Sequence, residues 1–128
     1  MKKSTILVVD DEPDIRELLA ITLTRMGLSC DTAADFEQGI AHIKQNEYSL
    51  VLTDMRLPDG DGIELVKFIQ KNKPQLPVAV ITAYGNVEGA VNTLKAGAFD
   101  YVSKPINLKM LKELVTTALS MHTSSDEH

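Results

Sequence analysis

The chain has 128 residues, of which 13 are Lys or Arg and 18 are Asp or Glu, so its formal net charge at pH 7 is −5. This length suits a single domain, and the one cysteine, Cys30, excludes an internal disulfide and any single-chain metal site built from several thiolates. The acidic balance argues against direct nucleic-acid contact by this segment. The apolar runs are too short for a membrane span or for a signal peptide, so we expect a cytoplasmic protein without membrane contact.

Short apolar, β-branched runs alternate with amphipathic stretches along the chain. The runs predict buried strands over residues 6–9, 28–33, 50–53, 78–81 and 99–102. Apolar side chains at helical spacing predict helices that include residues 15–26, 36–43, 63–69, 87–94 and 108–119. Asp35, Asp61 and Asn107 are predicted to cap the second, third and fifth helices, because such side chains accept hydrogen bonds from the first free backbone N–H groups.

Five successive strand–helix units predict a parallel sheet, because each helix serves as the crossover between two strands. Right-handed crossovers place helices on both faces of that sheet. We therefore predict an α/β fold of three layers. We expect residues 1–120 to form the domain, and residues 121–128, which are polar and lack periodicity, to form a tail or the start of a linker.

Polar and charged residues stand at the carboxyl ends of the predicted strands, which is where open parallel sheets bind ligands. They are Asp10 and Asp11 after the first strand, Asp54 after the third, Thr82 and Ala83 after the fourth, and Lys104 after the fifth. Any one of these residues is explained by contact with solvent at a strand end. Together they predict one site at this edge of the sheet.

The chemistry of that site follows from its charges. Two carboxylates about 4 Å apart repel by about 4 kcal/mol at an effective dielectric constant near 20, so the three acids need a cation. Carboxylates without Cys or His partners favour Mg²⁺. Lys104 supplies a positive charge for a phosphoryl group, and the Thr82 hydroxyl and Ala83 amide can hold a phosphate oxygen. Because an Asp carboxylate can accept a phosphoryl group, we predict that Asp54 is the nucleophile.

Four motifs resemble the signature of bacterial response-regulator receiver domains. They are Val9-Asp10-Asp11-Glu12, Thr53-Asp54-Met55-Arg56-Leu57-Pro58, Ile81-Thr82-Ala83 and Lys104-Pro105. The resemblance covers residues 5 to about 120. It implies a flavodoxin-like (βα)5 sheet of order 2-1-3-4-5, and a phosphohistidine on a sensor histidine kinase as the phosphoryl donor.

The resemblance also implies a role for individual residues of the site. Asp54 would be the phosphorylated residue and would share in binding Mg²⁺. Asp11 would be a direct metal ligand, whereas Asp10 would act partly through water. The backbone carbonyl of Arg56 would be a further ligand.

A switching mechanism is implied as well. Lys104 would pair with the phosphoryl group, and Thr82 would move to hydrogen-bond it while Tyr101 packs inward. These movements would change the face formed by helix 4, strand 5 and helix 5, and so control homodimerisation and output. The Lys104–Pro105 peptide bond is expected to be cis, which is far less costly before proline than elsewhere.

A second set of motifs is similar to receivers of the nitrogen-regulator type. They are Thr82-Ala83-Tyr84-Gly85, Leu94-Lys95-Ala96-Gly97-Ala98 and Phe99-Asp100-Tyr101. Those receivers precede the ATPase and DNA-binding domains of activators at sigma-54 promoters, and residues 14–19 and 54–60 are similar to regulators of type IV pilus genes within that group. Because this chain has no P-loop and no basic recognition helix, it is expected to be an excised receiver or a stand-alone phosphorelay receiver.

Two enzyme-like alternatives use related chemistry. A haloacid-dehalogenase-type phosphatase also has a nucleophilic Asp at a strand end, but it requires a second Asp two residues later, where this chain has Arg56. A flavin or dinucleotide carrier would place a glycine-rich loop after the first strand, where this chain has Asp10 and Asp11. We therefore expect a signalling domain that catalyses only its own phosphoryl transfer and dephosphorylation.

Overall fold

Five parallel strands form the central sheet of the structure, a computed structural model that describes residues 4–83 and 87–126, with side chains for 4–83 and 88–120. These strands are β1 (Thr5–Val9), β2 (Ser29–Ala33), β3 (Leu50–Asp54), β6 (Val78–Thr82) and β7 (Asp100–Ser103), with β4 (Arg56–Leu57) and β5 (Gly60–Asp61) in a separate pair. The helices are α1 (Pro13–Arg25), α2 (Phe36–Gln45), α3 (Gly62–Asn72), α4 (Val87–Lys95) and α5 (Leu108–Asp126). The strand order β2-β1-β3-β6-β7 confirms the predicted order.

The sheet is covered on both faces, and alternate residues of its strands enter two separate cores. On one face Leu7 and Val9 of β1 belong to a cluster with buried residues of α2 and α3. On the other face Ile6 and Val8 belong to a cluster with buried residues of α1 and α5. The three central strands β1, β3 and β6 are buried on both sides, which explains their continuous apolar runs, whereas the edge strands β2 and β7 are partly exposed.

Local sequence signals place the helix starts. Asp35 Oδ1 accepts a hydrogen bond of 2.8 Å from the backbone N–H of Gln38, and Asp61 Oδ1 accepts one of 2.8 Å from Glu64. Asn107 Oδ1 likewise accepts one of 3.2 Å from Met110. All three predicted caps are therefore confirmed. The helix α5 continues to Asp126, although residues 121–126 lack the apolar periodicity that predicted its earlier turns.

The two short strands β4 and β5 were not predicted. They pair antiparallel, with Arg56 opposite Asp61 and Leu57 opposite Gly60, so that residues 56–61 form a hairpin with a two-residue turn. Strands of two residues are too short to show an alternating apolar pattern in the sequence. None of the described helices combines the length and the apolar character that a membrane crossing requires.

Candidate metal and phosphoacceptor site

The two buried acids of the site are placed by neighbouring parallel strands. Asp10 directly follows β1, and its backbone N–H continues the ladder by donating to the Ala33 carbonyl at 3.0 Å. Asp54 is the last residue of β3, which pairs with β1. Because parallel strands end at the same edge of a sheet, both carboxylates meet there, and only 1% of Asp10 and 7% of Asp54 is exposed.

Lys104 joins three carboxylates at this edge. Its Nζ lies 3.3 Å from Asp10 Oδ2, 3.3 Å from Glu12 Oε1 and 3.3 Å from Asp54 Oδ2. Its backbone N–H donates to the Thr82 carbonyl at 2.7 Å, which ties the residue to the end of β6. The Lys104–Pro105 peptide bond is cis, as predicted.

The electrostatics of the site show incomplete compensation of charge. Burial raises the pKa of Asp54, and the opposing effect of the Lys104 ammonium does not cancel it. Burial also raises the pKa of Asp10, and the negative charge of Asp54 adds to that increase. Burial alone would lower the pKa of Lys104, but the charges of Asp10 and Asp54 outweigh it and raise that pKa instead. One ammonium therefore leaves the carboxylates short of positive charge.

Four carboxylates form what we call the acidic cluster. They are Asp10, Asp11, Glu12 and Asp54, each of which offers one oxygen within 4.8 Å of the others. The buried Asp10 Oδ2 accepts no hydrogen bond from the described residues, although it lies in ion-pair range of Lys104. Oxygen donors of this kind fit Mg²⁺, which is coordinated by carboxylates and retains several waters. The donor set therefore fits the predicted ion.

The other predicted site residues surround this cluster. Arg56 opens β4 and is exposed, and its backbone N–H lies 3.5 Å from Asp54 Oδ1. Thr82 ends β6 and is fully buried, and Ala83 follows it. Tyr101 lies in β7 and is half-buried. Tyr84 and Gly85, which the second set of motifs includes, lie outside the described residues.

Sequence reasoning missed Glu12 as a residue of the site. Its backbone N–H donates to Asp10 Oδ1 at 2.9 Å, and its carboxylate reaches Lys104. The signal was present, because Glu12 is the third of three successive acidic residues. Gly62, which begins α3, packs under the site, since a Cβ there would lie only 2.6 Å from the Asp54 carbonyl oxygen.

A second predicted surface is formed by α4, β7 and α5, and we call it the α4–β7–α5 face. Val91 and Leu94 of α4 are 41% and 48% exposed, and Met110 of α5 is 59% exposed. Thr93, also on α4, is completely buried, and its hydroxyl has no hydrogen-bond partner within the described part of the chain. The exposed side of α4 therefore carries apolar side chains, whereas its buried side carries the hydroxyl of Thr93.

Comparisons with known proteins show which chains this one is similar to. Over 127 residues the chain is 50% identical to the response regulator protein PilR of Pseudomonas aeruginosa, which covers 99% of this chain and 28% of that protein. A solved receiver domain protein (CheY-like) from Methanospirillum hungatei superposes with a TM-score of 0.92 at 31% identity, covering 97% of this chain and 99% of that one. The chain spans about a quarter of the length of the curated relatives it matches.

A further structural relative was solved in an activated form. The solution structure of the beryllofluoride-activated NtrC4 receiver domain dimer has a TM-score of 0.88 at 33% identity, covering 92% of this chain and 98% of that one. The family model described as the response regulator receiver domain matches residues 6–116, which include every strand of the parallel sheet except part of β1. On this match, together with the shared fold, the chain belongs to the response regulator receiver domain family.

Proposed function

We propose that this receiver is a switch operated by phosphorylation of Asp54 with Mg²⁺ and a sensor histidine kinase as the donor. The observation that carries the proposal is the meeting of Asp54, Asp10 and Lys104 at one edge of the sheet, with both Asp54 Oδ2 and Asp10 Oδ2 at 3.3 Å from Lys104 Nζ. A buried carboxylate beside a lysine and other acids is suited to accept a phosphoryl group while a cation compensates its charge.

In the proposed step a carboxylate oxygen of Asp54 attacks the phosphorus of a phosphohistidine. The bond from phosphorus to the imidazole nitrogen breaks, and the imidazole leaves with the electron pair and is then protonated. Lys104 is released from part of its pairing with Asp54 and compensates the charge of the phosphoryl oxygens. Thr82 and the backbone amide of Ala83 hold a phosphoryl oxygen at the end of β6.

The acidic cluster is the proposed Mg²⁺ site. Asp10, Asp11, Asp54 and the carbonyl of Arg56 would hold the ion, which when bound supplies positive charge to the transferring phosphoryl group. Asp54 would have a double role, because the same carboxylate would help to hold the ion and would accept the phosphoryl group. Glu12 further restrains Lys104 through its 3.3 Å ion pair.

The α4–β7–α5 face is the proposed output surface. Movement of Thr82 toward the phosphoryl group and of Tyr101 into the protein changes this face, and a homodimer forms through it. Its exposed Val91, Leu94 and Met110 provide apolar area for such an interface. The activated NtrC4 receiver, which is a dimer in solution, is similar in fold to this chain.

The output itself belongs to regions outside this chain. We propose that the domain, residues 1–120, works in the cytoplasm and controls sigma-54-dependent transcription through such regions, without contacting nucleic acid or a membrane itself. The relatives named NtrC are described as DNA-binding transcriptional regulators. The chemistry is limited to phosphorylation of Asp54 and the later hydrolysis of that acyl phosphate.

The test is adduct formation with beryllofluoride or with a small phosphodonor in the presence of Mg²⁺. We expect fluorine NMR and intact mass to detect one adduct in the wild type and none in Asp54→Asn. Asp14→Asn is the matched control, because Asp14 is an exposed aspartate on α1 outside the acidic cluster. Absence of an adduct in the wild type, or phosphate incorporation by Asp54→Asn, would refute the proposal.

A further inference from the structure

Asp59 connects the hairpin next to Asp54 to α2, a helix that lies more than 20 residues away in sequence. Pro58 and Asp59 form the turn between β4 and β5. Asp59 Oδ1 accepts a hydrogen bond of 2.7 Å from the backbone N–H of Phe36, and Asp59 Oδ2 accepts one of 3.1 Å from Glu37. Both carboxylate oxygens are thus used, and the two N–H groups belong to the first turn of α2.

These bonds add to a cap that α2 already has. Within the helix start, Asp35 accepts from the Gln38 N–H and the Gln38 side chain accepts from the Ala34 N–H at 3.1 Å. The N–H groups of Phe36 and Glu37 have no intrahelical acceptor because they lie in the first turn. Asp59 satisfies them from 22 and 23 residues further along the chain. Its bonds therefore connect the hairpin to α2 as well as completing the helix start.

A packing contact independently supports the same connection. Gly60 lies against the Phe36 ring so closely that a Cβ there would be 3.0 Å from Cγ. A hairpin of two-residue strands is not stable by its own pairing. At its base, the backbone N–H of Gly62 donates to the Met55 carbonyl at 2.6 Å. The hairpin is therefore held at its base beside Asp54 and at its tip by Asp59 and Gly60.

We infer that Asp59 is a positioning residue for the metal site: by clamping the hairpin tip to α2, it holds Arg56 beside Asp54 in the conformation that binds Mg²⁺. The inference rests on the proposed function, in which the Arg56 carbonyl is a metal ligand. Arg56 is the first residue of β4, and Asp59 follows it by three residues. Because β4 is so short, motion of the hairpin tip would also displace the backbone of Arg56. Asp59 is exposed and does not belong to the acidic cluster.

The test compares two aspartates that cap the same helix. Asp59→Ala removes the clamp, whereas Asp35→Ala removes a cap of α2 without touching the hairpin. Calorimetric titration of metal-free protein with Mg²⁺ should give an approximately 10-fold weaker Kd for Asp59→Ala, the scale seen when supports of metal ligands are removed. We expect Asp35→Ala to lower the melting temperature yet leave the Mg²⁺ Kd at the wild-type value.

A conservative variant and a metal-free measurement complete the design. Asp59→Asn retains one acceptor oxygen, so it should restore part of the lost affinity. In metal-free protein, amide hydrogen exchange at Arg56 should accelerate in Asp59→Ala and not in Asp35→Ala. Equal effects of the two alanine variants on the Kd, or a wild-type Kd in both Asp59 variants, would overturn the inference. Failure of the wild type to bind Mg²⁺ or beryllofluoride would instead refute the proposed function.

Discussion

The acidic cluster leaves buried carboxylates without full charge compensation, whereas the α4–β7–α5 face leaves apolar side chains exposed to water. In the cluster, buried carboxylates lack positive charge, although Lys104 pairs with Asp10, Glu12 and Asp54. On the face, Leu94 and other apolar side chains are exposed to water and lack apolar contacts. In the proposed function a cation supplies the positive charge that the cluster lacks, and a second protein surface covers the apolar side chains of the face.

The two regions should also differ in how a substitution changes folding stability and association. Buried charges interact strongly over short distances, so the loss of one group changes stability by several kcal/mol. Exposed apolar side chains contribute little to the stability of the monomer, so their removal affects association far more than folding. Variants in the acidic cluster should therefore change the free energy of unfolding, and variants on the face should change the affinity of the homodimer.

Removal of the Lys104 ammonium, which pairs with the acidic cluster, should have the largest effect. Lys104→Met leaves Asp10 and Asp54 without their cationic partner, and we expect a loss of about 3 kcal/mol in the free energy of unfolding without metal. Lys73→Met is the control, because Lys73 pairs with the largely exposed Glu47 at 3.4 Å and should lose less than about 0.5 kcal/mol. Urea unfolding measures both losses, and equal losses would contradict the account of the cluster.

A substitution on the α4–β7–α5 face should act on association instead. Leu94→Ser is expected to weaken the beryllofluoride-dependent homodimer about 10-fold while changing monomer stability by less than about 0.5 kcal/mol. Ile21→Ser on α1 is the matched control, because Ile21 is 46% exposed and Leu94 48%. Sedimentation equilibrium measures the dimer. An unchanged dimer in Leu94→Ser, or equal weakening by Ile21→Ser, would remove the face from its proposed role.

The raised pKa of Asp54 makes the stability of the acidic cluster depend on pH. Because burial raises the pKa of Asp54 in the folded state, its ionised form costs stability above the unfolded pKa, and this cost disappears as the pH falls and the carboxyl group protonates. Asp54→Asn should therefore be more stable than wild type by about 1 kcal/mol near pH 7 without metal, with the gain vanishing towards about pH 3. Urea unfolding at several pH values, with Asp14→Asn as an unaffected control, checks the prediction.

Added Mg²⁺ should make the wild type more stable than Asp54→Asn. It stabilises the folded state by mass action, and it should raise the melting temperature of the wild type more than that of Asp54→Asn. If Asp54→Asn is clearly less stable than wild type in the metal-free state, the carboxylates are not short of positive charge as proposed.

The buried hydroxyl of Thr93 predicts the smallest effect. Thr93→Val replaces an unpartnered polar atom by a methyl group of similar size and should stabilise the protein by about 0.5 kcal/mol. Thr22→Val is the matched control, because the buried Thr22 hydroxyl donates to the Leu18 carbonyl at 2.8 Å and its loss should destabilise by a similar amount. Thermal unfolding compares the pair, and destabilisation by Thr93→Val would show that the hydroxyl has a partner.

Features that depend on neighbours in sequence were predicted well. Asp35 and Asp61 cap their helices through bonds to residues three positions later, and such spacing is visible in the chain itself. The apolar runs of β1, β3 and β6 predicted these strands well, because burial on both faces selects a continuous apolar segment. The last strand is displaced by one residue from its predicted position, to Asp100–Ser103.

Two contacts between residues far apart in sequence were not predicted. The β4–β5 hairpin is anchored by bonds between Asp59 and residues 22 and 23 positions earlier, and nothing near Asp59 in sequence indicates them. The ion pair of Glu12 with Lys104 spans 92 residues. A motif identifies the residue types that meet at the sheet edge, but the distances between their atoms depend on how the strands and loops pack.

The amino-acid sequence by itself determined the order of strands and helices and the acids, hydroxyl and lysine that follow the strands, because these features arise from local periodicity and from residue type. Only the tertiary structure decided that one ammonium is shared by Asp10, Glu12 and Asp54, and that Asp59 holds the neighbouring hairpin to α2. The physical reason is that charge compensation and hydrogen bonding act over a few ångströms in space, and strand register and loop packing set those distances.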